Sequence, residues 1–306
     1  MALPDSIVRA DIEAAIREGY SNEFLKSANA GSAVMQAVPT KILSHKVTKF
    51  STRSERPVAG WVGDTDNSEI KPKSKIKWKT VTATAEEIAV IISVHEDTIA
   101  DADEDVLASI ASEGGAALGR ALDEAVLYGT NKPVSWTSLD FLASATAAGQ
   151  VYPVNSTAGA DDLYGAHLEA AGDLADKGVI VSRAVAAPSL RWQLANLRDD
   201  EGRILLGGTA LPFETTYVNN GVFDSDEAIS FLIDPNHVRL GIRKSLEVKF
   251  SDQAYLTGTE GDGFSLWERD MVALRFVMRV AYVQDTGLTS AGVAASPIAA
   301  IGADES

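Results

Sequence analysis

The sequence predicts an α+β protein built on one long helix and one long alternating strand, with a basic two-stranded excursion ahead of both. Three observations predict it. Apolar residues recur at helical spacing from Val106 to Val126, and Val272 to Tyr282 alternates with period two. Ten of the 27 Lys and Arg residues lie between Lys41 and Lys79, beside only four acids, Glu55, Asp64, Asp66 and Glu69. That stretch carries +6 within a chain of net charge −16, which leaves −22 for the remainder. A cationic element in so acidic a chain points to an anionic surface, and the simplest such surface is another copy of the chain.

The elements follow in order. Ile7, Ile12, Ala15, Ile16 and Tyr20 make a helical stripe that is marginal alone and needs a partner surface. Ser27 to Ala33 is small and polar, as in a linker, so an extended arm is expected. Val47 to Ser51 and Lys75 to Val81 read as two strands, the second with Lys75, Lys77 and Lys79 on one face and Ile76, Trp78 and Thr80 on the other. Gly60, Gly63, Asp64, Asn67 and Pro72 supply the loop between them. A lone two-stranded hairpin is marginal. It is either a solvated edge guarded by lysines or an arm that lies on a neighbour, and the charge asymmetry favours the arm.

Ile88 to Val94 reads as a buried strand. Asp101, Asp103, Glu104 and Asp105 then supply cap and first-turn acids for the long helix. Taken from Asp103 to Tyr128, that helix spans about 39 Å at about 1.5 Å per residue, with Gly129 as its C-cap. From Val134 to Phe250, helix and strand alternate. Leu163 to Lys177 is a helix stopped by Gly178, Val179 to Val181 a strand, and Pro188 opens a helix through Leu190, Trp192, Leu194 and Leu197. Asp199 to Arg203 is a turn and Phe231 to Asp234 a strand. In the closing strand Val272, Leu274, Phe276, Met278, Val280 and Tyr282 share one face, and Arg275 and Arg279 the other. After Asp285 the chain is rich in Ala, Gly and Ser and reads as a mobile tail.

Length, 45% apolar residues and 23% charged residues suit a globular protein with a real core. The absence of cysteine excludes disulfides and thiolate sites. The opening Met1-Ala2-Leu3-Pro4-Asp5 is unlike a signal peptide, and no stretch approaches a spanning helix. The protein is expected to be made and used in a cytoplasm, away from membranes. Its acidity argues against nucleic-acid binding.

Catalytic and metal chemistry is sought in vain. His45, His95, His167 and His237 are scattered, with no metal-ligand spacing. There is no GxSxG elbow. Gly114 and Gly119 have phosphate-loop spacing, but Arg120-Ala121 replaces the Lys-Ser/Thr, so helix packing accounts for them better. Asp101 to Asp105 lacks the ligand alternation of a calcium loop. Gly258 to Gly263 reads as a loop between strands. No carboxylate pair stands out among 43 acids. No cofactor or metal is expected.

The order of elements carries a resemblance. Trp61-Val62-Gly63-Asp64 with Glu69 to Ser74, Ala121 to Thr130, Val179 to Ser182 through Leu197-Arg198-Asp199 and Gly202-Arg203, and Phe264 to Val283 together resemble the HK97-type major capsid proteins of tailed bacteriophages. The resemblance implies an N-terminal arm (1–45), an E-loop hairpin (46–82), a peripheral domain with the spine helix (83–133), an axial domain (134–255), the closing peripheral strand (256–290) and a flexible tail (291–306). It also implies a structural subunit that is not an enzyme. Such subunits self-assemble as hexamers and pentamers into an icosahedral shell around double-stranded DNA, which they do not bind specifically. The host bacterial cytoplasm is the implied place of assembly and the virion capsid the final location. Separate scaffolding, portal and decoration proteins are implied partners, and either scaffolding is separate or a prosegment has been removed.

On this reading Lys71, Lys73, Lys75, Lys77 and Lys79 meet acids such as Asp101, Asp103, Glu104 and Asp105 of a neighbour, with Trp61 and Trp78 as apolar anchors. Some family members weld subunits by a Lys–Asn isopeptide bond assisted by a glutamate. The matching positions here are Asp270 and Val277, so no self-catalysed cross-link is expected. An encapsulin-type bacterial compartment and, more remotely, an acidic α+β enzyme remain as alternatives.

Overall fold

The computed structural model describes residues 27–28, 30–55, 57, 59, 74–101, 106–154, 161–198, 211–224, 226–257, 263–285 and 295–302. In chain order these form α1 (Ala33–Ala37), β1 (Thr40–Ile42), β2 (Val47–Glu55), β3 (Lys77–Thr84), β4 (Glu86–His95), α2 (Glu96–Asp101), α3 (Val106–Leu127) and α4 (Phe141–Ala147). Next come β5 (Val151–Pro153), α5 (Asp161–Asp176), β6 (Arg183–Ala186), α6 (Pro188–Ala195), β7 (Glu214–Tyr217), β8 (Ser230–Ile233) and β9 (Val238–Ser251). Last are β10 (Tyr255–Thr257), β11 (Gly263–Ser265), a 3-10 turn (Trp267–Arg269), β12 (Met271–Gln284) and β13 (Ile298–Gly302).

A four-stranded sheet of order β1-β9-β12-β4 forms around β12. The alternation read in the sequence holds: Val272, Leu274, Phe276, Met278, Val280 and Tyr282 are buried, and all but Val272 share one core with Leu118, Leu122 and Val126 of α3. The opposite face of β12 is apolar too, for Ala273, Val277, Ala281 and Val283 are also buried. β4 pairs antiparallel with β12 from Met271 opposite His95 to Val280 opposite Glu86. It is half-buried rather than buried as expected: Ile88, Val90 and Ile92 face the core, and Ile91 is 51% exposed. One face of β4 packs on the core with α3, and the residues of its other face stay partly open, as is common in antiparallel sheets.

A five-stranded sheet of order β5-β13-β8-β6-β7 lies beyond. Its central strands are buried on both faces, and successive residues go to different cores. Leu232, Ala184, Ala299 and Ile301 pack with Leu174 of α5 and Leu190 of α6. Phe231, Val185, Ile298 and Ala300 join the core of the first sheet. α6 starts at Pro188, as read, because proline suits a first helical turn.

The N-terminal segment is joined to α3 by a buried carboxylate. Asp123 of α3 is fully buried. It accepts hydrogen bonds from Ser32 Oγ at 2.6 Å, Ala33 N at 2.7 Å, Val34 N at 3.1 Å and Asn220 Nδ2 at 2.6 Å. Ser32 Oγ in turn accepts from Met35 N at 3.1 Å and so caps α1. The approach is close because the facing residues are small. A Cβ on Gly119 would lie 2.9 Å from Ala28 O, and one on Gly31 3.1 Å from Ala116 Cα.

Several expectations are corrected. The stretch from Ser27 to Ala33 is not a linker: Ser27, Ala28, Ala30 and Gly31 are helical, and Ala28 and Ala33 are fully buried, since small residues let this segment approach α3. Asp101 is the last described residue of α2, α3 is described from Val106, and the expected cap at Asp103, Glu104 and Asp105 lies outside the described residues. Gly129, with φ of 72°, reverses the chain after α3, and Thr130 N returns to Glu124 O at 3.1 Å. The strand read at Val179 to Val181 lies at Arg183–Ala186 instead. Val179 N bonds Leu174 O at 2.8 Å, so Val179 closes α5 rather than entering the sheet. β9 runs from within the segment read as axial into the first sheet, pairing with β12 along its length. The segment read as a flexible tail holds β13, fully buried between β5 and β8, because Ile298, Ala299, Ala300 and Ile301 are small or apolar enough for two-sided packing. The helical stripe at 7–20, the hairpin loop at 60–72 and the turn at 199–203 lie largely or wholly outside the described residues.

Burial pushes the Asp123 carboxyl up to about 6, against the pull of its four donors. The folded chain therefore holds this proton between about pH 4 and about pH 6, where the unfolded chain releases it. The stability contributed is complete below about pH 4 and lost as pH rises through about 6. Asp123→Asn, neutral throughout, should lack this dependence. Relative to that variant, the unassembled wild type should lose on the order of 2–3 kcal/mol from about pH 4 to about pH 7 in urea titrations.

Candidate intersubunit surfaces

The β2–β3 hairpin is the element that carries the basic charge. Its strands pair from Val47 opposite Thr84 to Glu55 opposite Lys77, forming a two-stranded sheet of their own. The root is well held. Leu43, Ala83, Ala85, Ala281 and Val283 form a small core with Phe50 and Val81. Leu43 lies where a Cβ on Gly241 would be, 2.5 Å from its Cδ1, so a side chain there would displace Leu43. Lys41 Nζ and the Arg239 guanidinium lie 5.2 and 5.6 Å from the Phe50 ring centre. Trp136 Nε1 donates to Thr84 O at 3.0 Å, and the Thr52 hydroxyl donates to the Asp285 carboxylate.

Beyond the root the hairpin is exposed on both faces. Lys75, Lys77 and Lys79 are exposed, and Trp78 and Ile76 expose 62% and 51% of their surface. Trp78 lies opposite Arg53, whose guanidinium is 5.7 Å from its ring centre. Lys77 is paired with Glu55 of its own hairpin at 2.6 Å. This pairing is solvent-screened, and such pairs contribute little to stability.

Of the residues singled out in the sequence, the structure thus brings Lys75, Lys77, Trp78 and Lys79 together on β3 and its approach. Asp101 stands apart at the end of α2. Trp61, Lys71, Lys73, Asp103, Glu104 and Asp105 lie outside the described residues. At the positions matched to the cross-linking residues, Val277 is buried on β12 and Asp270 sits at a left-handed corner, with φ of 48°, before it. Other exposed large apolar residues include Trp267 and Tyr255 beside the β10–β11 pair, and Trp192 on α6.

The sequence did not reveal two buried polar groupings. One is Asp123, which an acid inside the apolar stripe of α3 could have signalled. The other joins His167 and Ser230, whose Nε2 and Oγ are 2.7 Å apart, while His167 Nδ1 meets Leu163 O at 2.7 Å. A carbonyl at Nδ1 requires the proton there, so Nε2 accepts from the serine hydroxyl. Burial holds this imidazole below its usual range. Both residues are fully buried, so the pair fastens α5 to β8 and offers no nucleophile to a substrate. Among the described residues there is no grouping of His, Asp and Glu that could hold a metal ion. No described helix is long and apolar enough to cross a membrane.

The described chain thus combines a cationic hairpin bearing the exposed Trp78, a long helix against a four-stranded sheet and a five-stranded second sheet. Residues 14–284 match the model of the phage capsid family. The chain belongs to the phage capsid family. A solved chain from Mycobacterium phage Adephagia shares 38% identity with this capsid protein, with 98% of this chain and 99% of that chain covered and a TM-score of 0.82. One from Microbacterium phage Oxtober96 shares 35% over 90% of this chain and 91% of that chain, with a TM-score of 0.78. At 13% identity, the capsid of an empty GTA particle matches in fold with a TM-score of 0.60, covering 89% and 90% of the two chains. No match is found among the curated proteins. The capsid protein has the HK97-like mixed fold expected from its sequence, and as a phage major capsid protein it builds a capsid shell with copies of itself.

The exposed side chain of Trp78 contributes little to the fold of one subunit. Trp78→Ala should change the unfolding free energy of the unassembled protein by at most about 1 kcal/mol, the scale of its exposed cation–π contact. The same variant should lower the yield of sedimenting particles.

Proposed function

We propose that the capsid protein closes its shell by laying the β2–β3 hairpin across a neighbouring copy. The observation that carries this reading is the exposed start of β3 and its approach, where Trp78 and Ile76 stand uncovered beside Lys75, Lys77 and Lys79. Large apolar side chains displayed on a hairpin that forms a sheet of its own mark an interaction surface. Burying an aromatic anchor on a partner contributes about 1.5–3 kcal/mol, and each exposed ion pair about 0–1 kcal/mol. Trp78, with Trp61 from the adjoining loop, is therefore the anchor. The lysines, including Lys71 and Lys73, set orientation and exclude wrong partners. The acids they meet belong to a neighbour, with Asp101, Asp103, Glu104 and Asp105 as the candidates. Lys77 must exchange its contact with Glu55 to take part.

In this reading the subunits form hexamers and pentamers of an icosahedral shell, assembled in the bacterial cytoplasm. The arm (1–45) and hairpin (46–82) bind neighbours, while the peripheral parts (83–133, 256–290) and the axial part (134–255, with β13 added) form the wall. Scaffolding, portal and decoration proteins are separate partners. The shell encloses double-stranded DNA without specific binding, and the −22 outside the basic segment keeps the wall from holding it. No catalytic step is assigned.

Replacing Lys75, Lys77 and Lys79 together by Glu should abolish closed shells in negative-stain micrographs while the circular dichroism of the subunit is unchanged. Normal shells from that triple variant would remove the electrostatic part of the proposal. Cross-linking offers a separate check. With Asp at 270 and Val at 277, boiled particles should run as a single monomer band on a denaturing gel, and a ladder of covalent oligomers would contradict this.

A further inference from the structure

The chain contains one Asn–Gly pair, Asn220-Gly221. Its geometry sets a structural need against a chemical weakness. The need is clear on both residues. Asn220 Nδ2 donates to Asp123 Oδ2 at 2.6 Å and to Gly31 O at 3.1 Å, while Asn220 Oδ1 accepts from Val222 N at 3.2 Å. Gly221 has φ of 70°, a left-handed conformation that glycine adopts without cost. The weakness is that an asparagine followed by glycine has no side chain shielding the next backbone nitrogen.

We infer that Asn220 is a deamidation site which the native fold holds closed, and that its conversion to an acid unfastens the N-terminal segment from α3. In the reaction the Gly221 nitrogen, having lost its proton, attacks the side-chain carbonyl carbon of Asn220. The bond to the side-chain nitrogen breaks and ammonia leaves. Water then opens the resulting five-membered imide to aspartate or isoaspartate. One water is consumed, one ammonia is released, and nothing is oxidised or reduced.

Three features hold the site closed in the folded subunit. Asn220 is 7% exposed, so water is scarce. Its departing nitrogen is engaged by two acceptors. Its carbonyl oxygen is held along the chain by Val222 N, which keeps the carbonyl carbon from turning to Gly221. Reaction therefore requires the loop after β7 to open, and its rate is lowered by the free energy of that opening. The neighbouring Asn219 is exposed but precedes a bulky residue, and serves as an internal comparison.

The product cannot reoccupy the site in the same way. A carboxylate at position 220 would meet the carboxylate of Asp123 across the present 2.6 Å contact. Two buried carboxylates at that distance share one proton or repel. Asp123 is also the acceptor for Ser32, Ala33 and Val34, so disturbing it disturbs α1.

The test compares the folded subunit with the urea-unfolded chain in the same mildly alkaline buffer, by mass spectrometry of the peptide spanning Asn219 to Val222. Conversion at Asn220 should be at least roughly tenfold slower in the folded protein, the effect of about 1.4 kcal/mol of opening, with Asn219 unchanged. Equal rates in the two states, or no conversion when unfolded, would overturn the inference. In Asn220→Asp, backbone amides from Ala33 to Val38 should exchange faster at neutral pH and regain protection as acid supplies the shared proton. Protection equal to wild type at neutral pH, or a loss indifferent to pH, would also overturn it. If that variant does not fold, the same exchange measurement on aged wild-type protein, separated by its extra negative charge, distinguishes the same two outcomes.

Discussion

The fold depends on a carboxylate kept where water cannot reach it. Asp123 stands inside the apolar stripe of α3, and burial alone would make it a liability. It is acceptable because distant chain segments converge on it as donors: the capping serine and first amides of α1, and a side-chain amide after β7. Neither segment is a neighbour of α3 or of the other in sequence. The carboxylate therefore sets their mutual positions with directional bonds, which non-directional apolar packing does not do. The glycines at 31 and 119 make the convergence sterically feasible. Remove the carboxylate and four donors lose their partner; remove the small residues and the donors cannot arrive.

From this junction the molecule divides its surfaces by purpose. The root of the β2–β3 hairpin is anchored by the small core around Leu43 and Val283, by Trp136 and by the Thr52–Asp285 contact. The start of β3 and its approach, by contrast, display Trp78 and Ile76, which a solitary subunit would bury. On the proposed reading, a firmly held root lowers the entropy lost when the hairpin engages a neighbour. A shell subunit gains from this arrangement because every copy must present the same geometry.

Much of this architecture was legible in the sequence, and the reasons for the misses are physical. α3, β12 and α6 declared themselves because their periodicity runs long or their start carries proline. The hairpin declared itself by charge. β13 did not, because a strand buried on both faces has no alternation to read, and Ala299 and Ala300 suggest neither core nor sheet. Val179 to Val181 looked more like a strand than Arg183 to Ala186, yet closing α5 claimed Val179 first. Ser27 to Ala33 looked like a linker because small residues suit both loops and close packing, and only Gly119 across the gap distinguishes the two. At the candidate site the lysines and Trp78 were visible, but the acid beside Lys77 is Glu55 of the same hairpin. The acids of another copy leave no mark in one chain's pattern.

The position of β13 bears on the order in which a subunit can form. It lies between β5 and β8, with Ala300 beside both Val151 and Phe231. The second sheet therefore cannot close while a ribosome still holds residues 298–302, however early the hairpin and α3 are made. Such long-range closure is slow compared with local folding. A nascent subunit thus exposes an unfilled slot in its sheet until synthesis has passed that point. Prematurely terminated chains lack the strand that completes the second sheet, so a shortened subunit cannot take the shape of a finished one.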